Sequence, residues 1–427
     1  MDCGIRAVQI ADELRLLGID LIICDHHQPG EKLPNAIAVL DPKRDDCPYP
    51  YKELSGCGLS FKLCCAIAQR MPDKKLNPFE FIDLIALSIA SDIVPITGEN
   101  RVLAYFGLKK INNKPIPGLK AMKEKINFKK AYTISDVVFK IGPRINAAGR
   151  VNHGIQSVRL LSGKAGEELD ELVDLLESFN LTRRELEHQV VQEGLEQIEA
   201  DFERFNQRKS TVLFGESWNK GVIGIAASKL IERYYKPTVV LTKSDEGMAV
   251  ASARSVEGFD LYSALSSCDE LFTKFGGHRA AAGLSIPIAN IPAFQQKFDD
   301  IVRATLLPLQ EIPCEWYDFE IDLSQVNTRF YNSLMRLGPF GPSNMRPTFV
   351  SRSLENVSYR IVGEKHLKLS VPLVNTIFDG IAFNFAPIFD ELNEAECIDI
   401  CYVIEQNEWM GKKSLQLLIK DIKPSKI

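Results

Sequence analysis

Four apolar residues, Leu21-Ile22-Ile23-Cys24, run straight into Asp25-His26-His27, and this junction restricts what the chain can fold into. The apolar run reads as a short buried strand. A strand that ends in one carboxylate and two imidazoles presents metal ligands at the carboxyl edge of an α/β sheet. That edge is where open α/β sheets hold their ligands. Carboxylate with imidazole suits divalent ions that activate water, and such ions do much of the chemistry of phosphoesters. The competing reading is a surface loop whose histidines hold nothing.

A second group of residues favours the metal. Asp2 lies in Met1-Asp2-Cys3-Gly4-Ile5, ahead of a helical pattern (Val8, Leu14, Leu17) that leads into the Leu21–Cys24 strand. This is a βαβ-type step, which brings the ends of two parallel strands, and so Asp2 and His26, together. Asp92 follows Leu84-Ile85-Ala86-Leu87-Ser88-Ile89-Ala90-Ser91, an amphipathic helix with Phe81, Leu84, Ile85 and Ser88 on one face and Pro95 as its stop. A carboxylate at the end of a helix opposes the macrodipole. A bound cation gives it a reason to be there.

These residues carry a family resemblance. Asp2-Cys3-Gly4-Ile5, Asp25-His26-His27 and Ala90-Ser91-Asp92-Ile93-Val94-Pro95 resemble the later phosphoesterase motifs of the DHH superfamily. Further matches narrow this to its RecJ branch, exonucleases specific for single-stranded DNA. In order they are Gly142-Pro143-Arg144-Ile145-Asn146-Ala147-Ala148-Gly149-Arg150, Gly221-Val222-Ile223-Gly224-Ile225-Ala226 and Ser252-Ala253-Arg254-Ser255. Gly276-Gly277-His278 with Ala281-Ala282-Gly283, then Gly338-Pro339-Phe340-Gly341, complete the series. The family's upstream Asp-x-Asp motif has no counterpart in this sequence. A two-ion site built on the family pattern would lack the carboxylates that motif supplies.

Bulk properties fit a globular protein that holds a polyanion. At 427 residues the chain is long enough for two or three cored domains. No apolar run approaches the roughly 18 residues of a membrane span. Asp2, Arg6, Asp12 and Glu13 break any secretory pattern. Cys24, Cys64 and Cys65 sit in apolar runs and read as core residues of a reducing, cytoplasmic compartment. Cys397 and Cys401 have no second ligand pair, which argues against zinc. Net charge is −5, yet residues 101–150 hold twelve Lys and Arg against Glu124 and Asp136. Such local concentration either tracks a phosphate backbone or is a solvated lysine-rich surface.

The expected architecture is α/β: an N-terminally incomplete parallel-sheet DHH phosphoesterase domain (1–154), a long helical connector (155–208), a smaller α/β DHHA1 domain (209–307) and a β-barrel OB-like domain (313–427). Residues 142–154 read as a glycine-bounded loop. Thr211–Phe214 and Thr238–Leu241 read as strands flanking a helix at Ile223–Tyr234. Short alternating stretches at Tyr359–Val362, His366–Val371, Thr376–Phe383, Cys397–Val403 and Ser414–Ile419 suggest a small barrel. The OB label itself comes from the resemblance, which implies single-strand binding.

The resemblance also implies roles. Asp2, His26 and Asp92 would hold metal, with Mn2+ favoured over Mg2+ and two ions in a complete site. His27 would face the scissile phosphate, and Asp25 would orient a neighbouring histidine. Ser252 and Arg254, alternate residues on one strand face, would grip the 5′-terminal phosphate, the competing reading being a surface pairing of Arg254 with Glu257 or Asp260. His278, after Gly276 and Gly277, would touch substrate phosphate, while Arg144, Asn146 and Arg150 would track the strand. Ser343, Met345 and Asn219 depart from the family's usual residues. The expected activity is 5′→3′ hydrolysis of single-stranded DNA in repair and recombination, with single-strand-binding protein and helicase as partners. Two alternatives remain: a phosphodiesterase on short oligonucleotides or cyclic dinucleotides, and a non-catalytic single-strand-binding scaffold.

Overall fold

The computed structural model describes residues 1–425 except 165, 167, 375 and 410. The chain forms two compact units, one of Met1–Ile116, Lys129–Phe139 and Glu315–Ile427, the other of Pro117–Phe128 and Lys140–Cys314.

In the first unit, the helix Val8–Leu16 leads into strand β1 (Ile22–Cys24), which pairs in parallel with β2 (Ala38–Leu40), Cys24 opposite Leu40. The Asp2 segment lies along β1 through one backbone bond, Asp2 N–H to the Cys24 carbonyl at 2.7 Å. It forms no strand, because Asp2 has a φ of +64°, outside the extended region. The helix Ile82–Ser91 is buried on most of its circumference, through Ile82, Ile85, Ala86, Leu87, Ile89 and Ala90, and packs on the helices Gly56–Arg70 and Gly98–Asn113. Phe81 is not on its buried face as periodicity suggested. It belongs to a preceding 3-10 turn opened by Pro78 and is 54% exposed.

The second unit corrects one expectation. Residues 142–151 are not a loop but a helix, Gly142–Val151, preceded by the wide turn Val137–Ile141. Its glycines and proline are compatible with the helix. Pro143 sits in the first turn, where its missing N–H costs nothing, and Ala147 and Ala148 are fully buried. The helices Ile155–Ser162, Leu169–Ala200 and Phe202–Gln207 follow. The compact units cut the chain elsewhere than at residue 154. The helix Pro117–Ile126 packs on Ile155–Ser162, so closely that a Cβ on Gly118 would lie 1.9 Å from the Leu160 carbonyl oxygen.

A five-stranded sheet completes this unit: β3 (Thr211–Gly215), β4 (Thr238–Lys243), β5 (Met248–Arg254), β6 (Lys274–Gly277) and β7 (Ala281–Pro287), in the order β3-β4-β5-β7-β6. The pair β3–β4 is parallel, bridged by the helix Ile223–Tyr234, and the other pairs are antiparallel. The long helix contributes Val190, Leu195 and Ile198 to a core with Leu213, Trp218 and Leu230. The other core gathers Val239, Leu241, Phe294 and Phe298.

The C-terminal part of the first unit is a seven-stranded sheet: β8 (Phe319–Glu320), β9 (Phe349–Glu355), β10 (Ser358–Val362), β11 (His366–Leu373), β12 (Thr376–Ala382), β13 (Cys397–Trp409) and β14 (Lys412–Pro424). In the order β10-β11-β12-β14-β13-β9-β8, β9 and β10 lie towards opposite edges, although only Asn356 and Val357 separate them in the chain. One bent strand therefore joins the two sides and closes the sheet as an OB-type barrel. Leu367, Leu369, Ile400, Tyr402, Leu417 and Ile419 fill its core. The Gly338–Gly341 motif anchors this barrel to the segment after Asp92. Ile96 N–H donates to the Pro342 carbonyl at 2.7 Å, and Arg101 Nη2 donates to the Leu337 carbonyl at 2.9 Å. No helix among the described residues is long and apolar enough to cross a membrane, and all ten cysteines are free thiols.

Candidate functional site

Asp25, His26 and His27 follow β1 at the carboxyl end of the parallel pair, where the sequence put them. Asp25 is 1% exposed and fully engaged. Its Oδ2 accepts the Ile5 N–H at 2.9 Å, and its Oδ1 accepts the N–H of His26 at 2.8 Å and lies 2.7 Å from His27 Nδ1. Burial works to raise its pKa, but the hydrogen bonds from Ile5, the His27 ring and the two histidine N–H groups outweigh it and hold the carboxyl down at about 2. Asp25 is thus an ionised anchor that orients His27. Its oxygens are spent on the protein.

His26 is the meeting point. Its Nε2 lies 3.1 Å from Asp2 Oδ1 and 3.4 Å from Asp92 Oδ2. Asp2, His26 and His27 each offer a donor atom within 4.8 Å of the others. Asp92 caps the helix Ile82–Ser91, its N–H bonded to the Ser88 carbonyl. Asp2 is fixed by its bond to Cys24 and by Gly56, the first residue of the helix Gly56–Arg70. A Cβ on Gly56 would stand 1.9 Å from Asp2 Oδ1.

Asp2, His26 and His27 are the mutually close donors, and Asp92 joins them through its contact with His26; carboxylate and imidazole donors of this kind fit a divalent cation. With metal–ligand bonds near 2.1 Å, neighbouring ligand atoms stand about 3.0–3.4 Å apart around an octahedral or tetrahedral ion. Both contacts to His26 Nε2 have that spacing. Among the described residues, no Lys or Arg pairs with Asp2 or Asp92, so the two carboxylates lack a cationic partner from the protein.

Asp41 went unnoticed in the sequence. It follows β2 as Asp25 follows β1, and it is 2% exposed. Its signal was the same one: the apolar run Ala36-Ile37-Ala38-Val39-Leu40 ends in a carboxylate.

In the second unit, Ser252 and Arg254 share one face of β5, and Arg254 Nη1 donates to Ser252 Oγ at 3.0 Å and to the Ala253 carbonyl at 2.8 Å. Arg254 pairs with neither Glu257 nor Asp260, and Asp260 is instead matched with Arg279. The start of the helix Ile223–Tyr234 closes on this pair: a Cβ on Gly224 would meet Ser252 Oγ at 2.8 Å and Arg254 Nη2 at 2.9 Å. Arg150 reaches the same place, its Nη1 donating to the Gly221 carbonyl at 3.0 Å. Burial and then the like charge of Arg150 lower the Arg254 pKa. Arg144 is committed elsewhere, to both oxygens of Glu177 and the Lys140 carbonyl, while Asn146 is exposed on the same helix. Gly276 and Gly277 end β6, and exposed His278 stands in the tight turn to β7, its N–H bonded to the Ala281 carbonyl at 2.8 Å.

Residues 1–89 match the N-terminal domain of the DHH family, residues 207–304 the DHHA1 domain and residues 317–421 the RecJ OB domain. The chain is 34% identical over 444 residues to the single-stranded-DNA-specific exonuclease RecJ of Dickeya dadantii, taking in 99% of this chain and 77% of that protein. The chain belongs to the RecJ family. The RecJ of Bacillus subtilis is 32% identical over 425 residues, and there the chain spans 53% of its relative's length. The crystal structure of RecJ from Thermus thermophilus in complex with Mn2+ superimposes over 100% of this chain and 61% of its own, with a TM-score of 0.86 at 26% identity. RecJ from the same source has also been solved with Mg2+.

Proposed function

We propose that this RecJ-family chain acts in a divalent-metal-dependent 5′→3′ exonuclease on single-stranded DNA, serving repair and recombination in the cytoplasm. The observation that carries this is the convergence of Asp2 and Asp92 on His26 Nε2 at 3.1 and 3.4 Å. Asp2, His26 and Asp92 would hold the ion, Mn2+ before Mg2+, and a complete site would take two. Such an ion supplies Lewis acidity toward the phosphodiester and makes a nucleophile of water near neutral pH. His27, its Nδ1 tied to ionised Asp25 at 2.7 Å, keeps Nε2 for the scissile phosphate.

Polarity is assigned to the second unit. Arg254 and Arg150 are adjacent like charges with no carboxylate paired to either among the described residues, beside the start of a 12-residue helix. Two neighbouring cations and a helix N-terminus suit a doubly charged terminal phosphate. Ser252 adds a hydroxyl. His278, Gly276, Gly277 and Asn146 would contact the strand. Arg144, bound to Glu177, is withdrawn from that role. The OB barrel would take single-stranded DNA further along, with single-strand-binding protein and a helicase as partners.

The test is hydrolysis of a 5′-phosphorylated 30-mer with Mn2+, alongside the His27→Ala variant. Single strands should be degraded to mononucleotides, duplexes spared and the variant inactive. Salt-dependent binding without turnover at any metal concentration would favour the scaffold reading.

A further inference from the structure

Two buried polar atoms lack partners at the same sheet edge. One is His26 Nδ1 and the other is Asp41 Oδ2. Native proteins leave few such atoms unpaired, because an unmade buried hydrogen bond costs the full desolvation of the group. Here the two are complementary. An imidazole that presents Nε2 to a cation is neutral and carries its proton on Nδ1, so Nδ1–H is a donor in need of an acceptor. Asp41 has an acceptor to spare: its Oδ1 takes the Lys43 N–H at 2.8 Å, and its Oδ2 takes nothing.

Strand register places Asp41 beside the Asp25-His26 segment. Cys24 lies opposite Leu40 in the parallel pair, and Asp25 N–H donates to the Leu40 carbonyl at 3.0 Å. Asp41 therefore emerges opposite Asp25, with His26 the next residue along, at one edge of the pair. Both are buried, at 6% and 2% exposure. Asp25, the other carboxylate here, has both oxygens occupied by Ile5, His26 and His27.

We propose that Asp41 is a positioning residue for the metal site, with one buried water taking the His26 Nδ1 proton in a hydrogen bond and donating in turn to Asp41 Oδ2. It thereby fixes the tautomer and ring orientation that aim Nε2 at Asp2 and Asp92. This rests on the metal reading of that cluster. A carboxylate behind a metal-ligating histidine also raises the basicity of the ligand nitrogen. Asp25 and Asp41 then divide the work between the two imidazoles: Asp25 holds His27, and Asp41 holds His26.

The test combines Mn2+ titration followed by electron paramagnetic resonance with 15N NMR of histidine-labelled protein, in the wild type, Asp41→Leu and Asp41→Asn. Six histidines make the spectrum tractable. The wild type should show His26 protonated at Nδ1. Asp41→Leu should lose that signature and bind Mn2+ about 10- to 100-fold more weakly. Asp41→Asn, which keeps a carbonyl acceptor and the turn to Lys43, should stay within about threefold of wild type. An unchanged tautomer and unchanged Mn2+ affinity in Asp41→Leu would overturn the proposal, as would wild-type His26 protonated at Nε2. That last observation needs no variant to fold. Failure of the wild type to bind Mn2+, with His26 still protonated at Nδ1 and losing that proton in Asp41→Leu, would count against the metal reading and leave the Asp41 contact supported.

Discussion

Gly56→Ala separates the stability of the fold from the integrity of the metal site. The added methyl carbon would stand 1.9 Å from Asp2 Oδ1 and 2.4 Å from its Cγ, where ordinary contact begins at 3.4 Å. Something must move by about 1.5 Å. Gly56 is buried at the start of its helix, whereas the Asp2 side chain is 62% exposed, so the carboxylate swings outward and the helix stays. Asp2 then leaves its 3.1 Å contact with His26 Nε2 and can no longer share an ion with it. Losing the ligand should weaken Mn2+ binding at least as much as losing an outer partner does, about 10- to 100-fold, or about 1.4–2.8 kcal/mol. Helix propensity acts in the opposite direction on the fold, favouring Ala over Gly by up to about 1 kcal/mol. Thermal unfolding should therefore show an unchanged or slightly raised Tm, and calorimetric Mn2+ titration a much weaker site. Full Mn2+ affinity in the variant, or a collapse of Tm without loss of affinity, would refute the reasoning.

Other consequences are as direct. Arg254→Ala removes a charge-assisted contact worth about 1.5–3 kcal/mol, so binding of 5′-phosphorylated oligonucleotides should fall by about 10- to 150-fold while 5′-hydroxyl oligonucleotides are little affected. Equal loss on both would place the terminal phosphate elsewhere. Tyr402 is fully buried in the barrel, and burial, partly offset by its hydrogen bond with Ser351, pushes its pKa from 10.0 up to about 12. Its folded pKa is raised, so the unfolded chain ionises first and stability is lost as pH rises from about 10 to about 12. That is about 2–3 kcal/mol over the window, and Tyr402→Phe should flatten the alkaline limb of a Tm-against-pH curve.

Where the sequence was readable, local chemistry and tertiary packing agreed. The strand-then-ligand junction at Leu21–His27 became a strand end with Ile23 and Cys24 buried, and the alternating stretches from Tyr359 to Ile419 became barrel strands whose apolar positions face the barrel core. Gly142–Val151 failed in the other direction. Its glycines, proline and arginines look like a loop, but a proline in the first turn and two buried alanines make a helix whose packing overrides propensity. Asp41 carried the same signal as Asp25, an apolar run that ends in a carboxylate. The Gly56–Asp2 contact had no sequence signal at all, since it joins two segments more than fifty residues apart. Arg144 reads as a strand contact until Glu177, on the long helix, is found gripping it.

Manganese can be located outright. Anomalous scattering from crystals of this chain grown with Mn2+ should give a peak within bonding distance of His26 Nε2 and of carboxylate oxygens of Asp2 and Asp92. A map with no peak between those three side chains, while Mn2+ occupies other sites on the protein, would contradict the assignment of a hydrolytic metal centre to the end of β1.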